Sequence, residues 1–245
     1  MSGALVTLTP PRPAMRAGLP FVLVNMSMTA DGKIATANRR VGSFGSRRDL
    51  AHLYALRATA DAVMCGARTV QAGEVTLGPG GAKHRRARVR RGLAEYPLRI
   101  LVSGSGSLDP RAPVFRRRFS PIVVLTTGRA PRRRLEGLRT LAAEVVIGGE
   151  AQIEWPATLA YLRERWKVRR LLCEGGGELN DALFRAGLVD ELHLTICPFV
   201  FGGRTAPTLA EGAGVERLAD AARLQLKRRR RIGDELFCVF TRAGE

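Results

Sequence analysis

The sequence predicts an α/β fold built on a mixed, mostly parallel sheet of about eight strands that ends in a C-terminal antiparallel hairpin. Short apolar runs alternate along the chain with stretches of helical periodicity, which is the pattern of an α/β domain. Glycine-rich junctions join several predicted strands to the helices that follow them. Near the C-terminus, residues 223–231 and 235–241 flank a Gly233-Asp234 turn that is typical of a hairpin.

The predicted strands are short apolar runs. Residues 21–26 form an uninterrupted apolar run that suits a buried central strand, and a turn at Asp31-Gly32 follows it. The other predicted strands cover residues 62–66, 98–103, 121–127, 144–147, 170–174 and 192–196. Pro198 ends the last of these, because proline cannot donate a hydrogen bond to a sheet.

Helices are predicted between these strands. Apolar residues at helical spacing predict a helix over residues 47–59, with Ser46 as its N-cap. A short helix is expected directly after Gly66. Another begins at Pro156, a residue favoured in the first helical turn, and a further one covers residues 178–186 before a glycine.

The chain is predicted to form one domain over residues 20–245, after a flexible N-terminal lead-in of residues 1–19. The 245 residues, 45% of them hydrophobic, suffice for one large core, and no linker or internal repeat divides them. The lead-in is rich in proline and lacks the apolar segment of a signal peptide. Residues 73–92 are polar and without periodicity, so we expect a long surface loop there, which at that length is usually functional or mobile.

The formal net charge of +18 comes largely from clustered arginines. Such a field attracts polyanions, which include nucleic acid and phosphorylated small molecules. Aromatic residues make up only 6% of the chain and are not interleaved with the basic runs, and no nucleic-acid-binding motif is recognisable. The pattern favours a solvated basic surface that draws in phosphorylated ligands over a nucleic-acid-binding protein.

The composition also predicts that the chain has neither a metal site nor a membrane-spanning segment. The four cysteines are scattered without a Cys-x-x-Cys pair, and there are three histidines, so no metal is expected. No apolar run approaches the roughly 18 to 20 residues that cross a bilayer. A cytoplasmic protein that does not associate with membranes is therefore the expectation.

A glycine triplet, Gly175-Gly176-Gly177, stands between a predicted strand and a predicted helix. Successive glycines let the backbone approach a ligand closely, and the helix then points its N-terminal N–H groups at that ligand. A pyrophosphate suits this position, although a tight strand-to-helix turn would use the same residues. Similar turns follow two other strands, at Gly66 to Thr69 and at Ser103, so a dinucleotide laid across a sheet edge fits the set. The Gly-x-Gly-x-x-Gly motif of a Rossmann domain is absent.

These residues resemble the riboflavin-biosynthesis pyrimidine reductases, the RibD C-terminal domain family, which shares its fold with dihydrofolate reductase. The resemblance runs from about Phe21 to the C-terminus, and its segments occur in the right order. They are residues 25–33, 56–58, 61–66, 69–70, 173–179 and 187–192, with Pro198 and Gly202-Gly203 after them.

The resemblance implies a dihydrofolate-reductase-like, three-layer α-β-α fold and a homodimer. It also implies NADPH-dependent reduction of a phosphoribosylamino-pyrimidine, in which a hydride reaches C1′ of the ring-opened ribosyl group and a ribitylamino product forms. Such a protein has to hold the nicotinamide in near-attack geometry, provide a route for one proton and neutralise the 5′-phosphate of the substrate.

The resemblance assigns site residues position by position. The cofactor-binding positions are Ser27, Met28, Gly66, Arg68, Thr69, Ser103, Gly175, Gly176, Gly177, Glu178, Leu179 and Asn180. The substrate-binding positions are Asn25, Ser46, Arg57, Leu77 and Glu174. Asp31 and Glu174 are the candidate catalytic residues.

Several of these residues also allow a plain structural interpretation. Asp31 could be a turn residue, and Arg57 could be an ordinary surface arginine. Glu174 favours a ligand-orienting role, because an unpaired buried carboxylate is costly. His193 lies in mid-strand and is expected to be a packed core histidine.

One segment departs from the family pattern. Where the family commonly has Asp-Asp-Pro followed by Leu-Thr-Val-Arg, this chain has residues 71–78, of which only Leu77 matches plainly. The family uses that segment to hold the cofactor and the substrate phosphate, so the choice between an aminated and a deaminated pyrimidine stays open. Lys83, Arg85 or Arg86 are candidates to replace the missing phosphate ligand.

Two alternative functions remain. One is an NADPH-dependent reductase that acts on another pyrimidine or on a dihydropterin. The other is a basic, non-catalytic binding protein with the same fold.

Overall fold

A single sheet of ten strands runs through the computed structural model, which describes residues 4–7, 18–39 and 44–243. The strands are β1 (Ala4–Thr7), β2 (Phe21–Thr29), β3 (Ala62–Gly66), β4 (Leu98–Val102), β5 (Ile122–Thr126), β6 (Glu144–Ile147), β7 (Arg170–Cys173), β8 (Glu191–Cys197), β9 (Leu224–Ile232) and β10 (Glu235–Arg242). The helices are α1 (Arg47–Arg57), α2 (Ala67–Ala72), α3 (Ala82–Val89), α4 (Pro113–Arg116), α5 (Arg132–Leu141), α6 (Trp155–Arg165) and α7 (Gly177–Arg185).

The strand order is β1-β6-β5-β4-β3-β7-β2-β8-β10-β9. All neighbours from β1 to β8 pair in parallel, whereas β10 is antiparallel to both β8 and β9. The carboxyl ends of the parallel strands therefore meet at one edge of the sheet. The predicted mixed sheet with its C-terminal antiparallel hairpin is confirmed.

Helices cover both faces of the sheet, which gives the expected three-layer α-β-α arrangement. One core cluster packs Leu159 of α6 and Leu183 of α7 against Val24 of β2. The other packs Leu56 of α1 and Val70 of α2 onto the opposite face. Because α2 follows β3 on one face and α7 follows β7 on the other, a crevice opens where these two adjacent strands end.

The sheet has ten strands rather than about eight. The strand that sequence patterns did not indicate is β1, which pairs in parallel with β6 and belongs to the segment predicted to be a flexible lead-in. Four residues in a proline-rich context are too short a run for periodicity to identify. The rest of the predicted lead-in, apart from residues 18–19, lies outside the described residues.

The segment 73–92, predicted to be a loop throughout, contains helix α3. Arg88 of this helix is fully buried, and its guanidinium donates hydrogen bonds to the backbone oxygens of Arg57, Ala60 and Ala94. Two of these oxygens lie at the C-terminal end of α1, so Arg88 joins α3 to that end. A buried arginine adds nothing to apolar periodicity, and this is why the sequence pattern missed the helix.

Strand β9 is the exposed edge of the sheet, and it carries the basic run at residues 227–231. A row of charged side chains along an edge strand opposes pairing with further strands. No helix among the described residues is both long and apolar enough to cross a bilayer.

Candidate active site

A groove of about 1530 Å³ opens at the carboxyl ends of the parallel strands. It lies between the turns that follow β3, β4 and β7, at the crevice described above. Of the predicted cofactor positions it is lined by Gly66, Arg68, Thr69, Ser103, Gly176, Gly177, Glu178 and Leu179. Residues far apart in the sequence are therefore brought together in one cavity.

The glycine turn after β7 tolerates no side chain at two of its positions. Gly175 has a φ of +75°, and a Cβ there would lie 2.7 Å from the sulfur of Met26. A Cβ on Gly177 would lie 2.7 Å from the backbone oxygen of Thr208. The Gly175–Gly176 peptide is cis, and the oxygen of Gly175 accepts a hydrogen bond of 2.8 Å from the N–H of Gly66. The turns after β3 and β7 are thus held side by side.

Helix α7 begins at this turn without a side-chain cap, since its N-cap is Gly176. Its first N–H groups are therefore available to an anion in the groove. At the rim, Arg68 and Glu178 form an ion pair of 2.7 Å, with 62% and 60% of their side chains exposed. An ion pair that exposed contributes little to stability, so Arg68 can turn to an anionic ligand at small cost.

Hydroxyl groups line the far end of the groove. Ser103, Ser105, Ser107 and Thr127 contribute to its wall after β4 and β5. The hydroxyl of Thr127 donates to the oxygen of Gly104 at 2.8 Å and holds the two turns together. This end offers hydrogen-bonding groups suited to a polar, sugar-like or phosphate-bearing part of a ligand.

A second group of predicted residues surrounds a buried ion pair beside the groove. The guanidinium of Arg57 donates two hydrogen bonds of 2.6 Å to the carboxylate of Glu174 and a third of 2.6 Å to the oxygen of Gly78. Burial lowers the pKa of Arg57, but the Glu174 carboxylate outweighs this and raises it overall. Arg57 is therefore not a surface residue. Leu77 directly precedes Gly78, the residue that accepts from Arg57, and is fully buried with a φ of 57°.

Asp31 lies at the end of the turn after β2, where its carboxylate accepts hydrogen bonds from Thr29 and from the N–H groups of Phe201 and Gly202. The hydrogen bond from Thr29 is the largest influence on its pKa, which is lowered. An ionised, fully engaged carboxylate is a poor proton donor. The geometry favours the interpretation of Asp31 as a turn and loop anchor.

Other predicted positions lie outside the groove. Asn180 is fully buried and donates to the oxygen of Leu209 at 2.8 Å, which fixes the loop packed on the glycine turn. Ser46 caps α1 as predicted, and both its N–H and its hydroxyl bond to Glu235. Asn25, Ser27 and Met28 lie on β2, and Ser27 donates a hydrogen bond of 2.7 Å to Asp49.

Sequence reasoning missed a polar strip between α1 and the sheet. His52 of α1 and His193 of β8 approach to 3.0 Å between ring nitrogens, and His193 reaches Glu191 at 3.2 Å. His193 is buried as expected, but it is part of this strip rather than an isolated core residue. The spacing of Asp49 and His52 by one helical turn was the available signal, yet it could not be interpreted without knowing which strand α1 covers.

The arrangement suits an extended, anionic ligand in the groove and a smaller polar ligand near the Arg57–Glu174 pair. Among the described residues no group of three or more histidine, cysteine, aspartate or glutamate side chains could hold a metal ion.

Sequence comparison finds close relatives among reductases. The 2,5-diamino-6-ribosylamino-4(3H)-pyrimidinone 5′-phosphate reductase of Methanothermobacter thermautotrophicus is 36% identical over 225 residues, which cover 92% of this chain and 99% of that protein. The reductase of the same name from Archaeoglobus fulgidus is 33% identical over 193 residues, 79% of this chain and 87% of that protein.

Solved structures share the fold at lower identity. A pyrimidine reductase-like protein from Corynebacterium diphtheriae superposes with a TM-score of 0.75 at 22% identity, covering 92% of this chain and 93% of that one. RibD from Acinetobacter baumannii gives a TM-score of 0.73 at 21% identity; 94% of this chain is covered, and it spans 60% of that longer chain.

The family described as the RibD C-terminal domain matches residues 20–238, almost the whole of the described sheet. This match and the relatives above confirm the family that the sequence motifs indicated. The chain belongs to the RibD C-terminal domain family.

Proposed function

We propose that this protein is an NADPH-dependent reductase that converts a phosphoribosylamino-pyrimidine into the ribitylamino-pyrimidine phosphate of riboflavin biosynthesis. One observation carries the proposal: the turns at Gly66 to Thr69, Ser103 and Gly176-Gly177 converge on one groove in a chain that matches a reductase family over residues 20–238. The named activity of the 36% identical relative supports the pyrimidinone phosphate as the substrate class.

The groove fits a dinucleotide. The glycine turn leaves room at Gly176, where a Cβ would meet only the hydroxyl of Thr69, and the uncapped N-terminus of α7 lines the groove directly after it. In this proposal Gly176, Gly177 and Arg68 hold the pyrophosphate, and the serines after β4 hold the adenosine end. When bound, the nicotinamide supplies the hydride for C1′ of the substrate.

The substrate is proposed to lie on the α1 side of the same sheet edge. Glu174 and Arg57 form its rigid border, and Ser46 lies at the start of α1. Lys83 stands exposed in the first turn of α3 and is the better candidate for the 5′-phosphate. Arg85, by contrast, is already bound to Glu95 and to the hydroxyl of Tyr96. Since Asp31 is engaged elsewhere, solvent is the proposed source of the proton.

The homodimer and the cytoplasmic location are part of the proposal as well. The exposed apolar side chains of Phe199 and Val200, directly after β8, support a protein–protein contact at that end of the strand. Light scattering of the purified protein should give twice the mass of the chain.

Nucleotide binding and turnover test the function. A ligand that binds only the folded state raises the melting temperature, so NADPH should raise it more than NADH does. Oxidation of NADPH should then depend on the diaminopyrimidinone ribosyl phosphate and not on dihydrofolate. An absence of any shift with either nucleotide would contradict the reductase, and salt-sensitive DNA binding in its place would support a basic binding protein.

A further inference from the structure

Two side chains on the α1 face of β2 are placed next to the proposed substrate border. Val24 pairs with Cys173, so Asn25, the next residue along β2, lies beside Glu174. Alternate residues of a strand share a face, so Asn25 and Ser27 both face α1. The hydrogen bond from Ser27 to Asp49 of α1 agrees with this placement.

Two buried hydrogen-bond acceptors between β2 and α1 have no partner within the part of the chain that the structure describes. Four buried side-chain atoms lack a hydrogen-bond partner among the described residues, and two of them are Oδ1 of Asn25 and Oδ1 of Asp49. Asn25 is only 8% exposed. A buried polar atom without a partner costs free energy, so such atoms usually mark a bound water, a ligand or a strained site.

The Asp49 carboxylate is held in place from its other side. Its Oδ2 accepts the hydroxyl proton of Ser27 at 2.7 Å. Gly45 packs directly over the same oxygen, since a Cβ on that glycine would collide with it. One carboxylate oxygen is therefore fixed by the protein, while the other has no donor.

The remaining carboxylates around α1 are already used. Glu174 is bound to Arg57, Glu235 to Ser46 and Glu191 to His193. Of these four carboxylates, Asp49 is thus the one that has a buried oxygen with no partner among the described residues.

An acceptor without a partner selects a ligand that brings a donor. An aminated pyrimidinone carries an exocyclic amino group beside a ring N–H, and both are donors. In the deaminated pyrimidine a carbonyl oxygen replaces that amino group, and an oxygen facing a carboxylate gains no hydrogen bond and is repelled. We propose that Asp49, together with Asn25, selects the aminated over the deaminated pyrimidine. This inference rests on the function proposed above, because it concerns the substrate of the same site.

The test is the isosteric substitution Asp49→Asn, which replaces one acceptor oxygen by a donor without changing the shape of the side chain. For the wild type, kcat/KM should favour the diaminopyrimidinone ribosyl phosphate over the corresponding uracil. In Asp49→Asn this preference should fall by about tenfold to a hundredfold, because a site built around a hydrogen bond strongly rejects the wrong partner. Ser27→Ala, which frees the carboxylate to rotate, should lower the preference less.

Binding of the free bases gives a readout that does not need turnover. Calorimetry should show tighter binding of 2,5,6-triamino-4(3H)-pyrimidinone than of 5,6-diaminouracil by the wild type, and loss of this difference in Asp49→Asn. If the wild type discriminates between the bases but reduces neither ribosyl phosphate, the proposed function fails while the inference stands.

A control separates recognition from folding. Asp61 accepts the N–H groups of Arg169 and Arg170 at the amino ends of β3 and β7, far from the proposed substrate. Asp61→Asn should therefore lower the free energy of unfolding and leave the preference for the aminated pyrimidine unchanged. An ordered water could satisfy the Asp49 oxygen instead. In that case Asp49→Asn would change stability but not the preference, and the inference would be overturned.

Discussion

Arg57 and Glu174 meet in a parallel, bidentate pair, with both hydrogen bonds at 2.6 Å and side-chain exposures of 10% and 11%. The planar guanidinium matches the carboxylate, and its remaining nitrogen reaches the oxygen of Gly78. This pair therefore links the end of β7, the end of α1 and the segment that departs from the family pattern. Any change in that segment acts on the proposed substrate border through Arg57.

Replacing Glu174 by leucine should be strongly destabilising. The substitution leaves a buried guanidinium without its counter-charge, which costs about 3 to 5 kcal/mol of the free energy of unfolding. Urea denaturation measures this. The double variant Arg57→Met/Glu174→Leu should recover most of the loss, because both charges disappear together. Equal stability of the single variant and the wild type would show that the pair is not buried in solution.

Gly176→Ala should weaken NADPH binding and leave the fold intact. A Cβ on Gly176 would meet only the hydroxyl of Thr69, at 3.4 Å, so the protein has room for it. It would, however, enter the groove where the pyrophosphate is proposed to lie. Losing one charge-assisted hydrogen bond of roughly 1.5 kcal/mol corresponds to about tenfold in Kd, measurable by calorimetry.

A matched glycine provides the control. Gly137 lies within α5, and a Cβ there would meet nothing within 4 Å. Gly137→Ala should stabilise the protein by about 0.5 to 1 kcal/mol through helix propensity and leave NADPH affinity unchanged. If both variants weaken binding equally, the groove is not the cofactor site.

Much of the fold could be predicted because its strands are continuous apolar runs. Leu171, Leu172 and the residues of β5 are buried on both faces, and such runs are visible in a single sequence. Helix α5 was not indicated, because Leu138 is the one residue of it that is buried and most of the rest is charged. Strand β1 depends on its partner β6, and pairing between distant segments leaves no local signal.

The residues of the candidate site likewise fall into those that the sequence could predict and those that it could not. The glycines of the triplet could be identified from the sequence, and at Gly175 and Gly177 the structure demands a residue without a side chain. The ion pair between Glu174 and Arg57 could not be predicted, because the two residues are 117 positions apart and their pairing depends on how α1 crosses the sheet. Asp49 was missed for the same reason, because only the register of β2 brings Ser27 beneath it.

Arg88→Met should show that α3 is held by hydrogen bonds rather than by apolar packing. Each of the three bonds to backbone oxygens, two of them buried, contributes about 1 kcal/mol, so the free energy of unfolding should fall by roughly 3 kcal/mol. Arg88→Lys should recover little, because an ammonium cannot reach all three oxygens in one geometry. Arg86→Met on the exposed side of α3 is the control and should leave the urea midpoint nearly unchanged. A neutral Arg88→Met would contradict the buried contacts.

The His52–His193 contact should make stability depend on mildly acidic pH. Burial is the main cause of the lowered pKa of His52, and the neighbouring His193 lowers it further; burial also lowers the pKa of His193, against the opposing effect of Glu191. Below about pH 6.5 the unfolded chain takes up protons that the folded protein refuses, so stability is constant above this pH and falls as the pH drops through it. Urea denaturation from about pH 8 to about pH 5 should show this decline, and the double variant His52→Gln/His193→Gln should flatten it. If the two proteins decline with the same slope, His52 and His193 are not held neutral by the fold. The acid sensitivity then comes from other groups, namely His84, whose pKa burial also lowers, and the carboxylates.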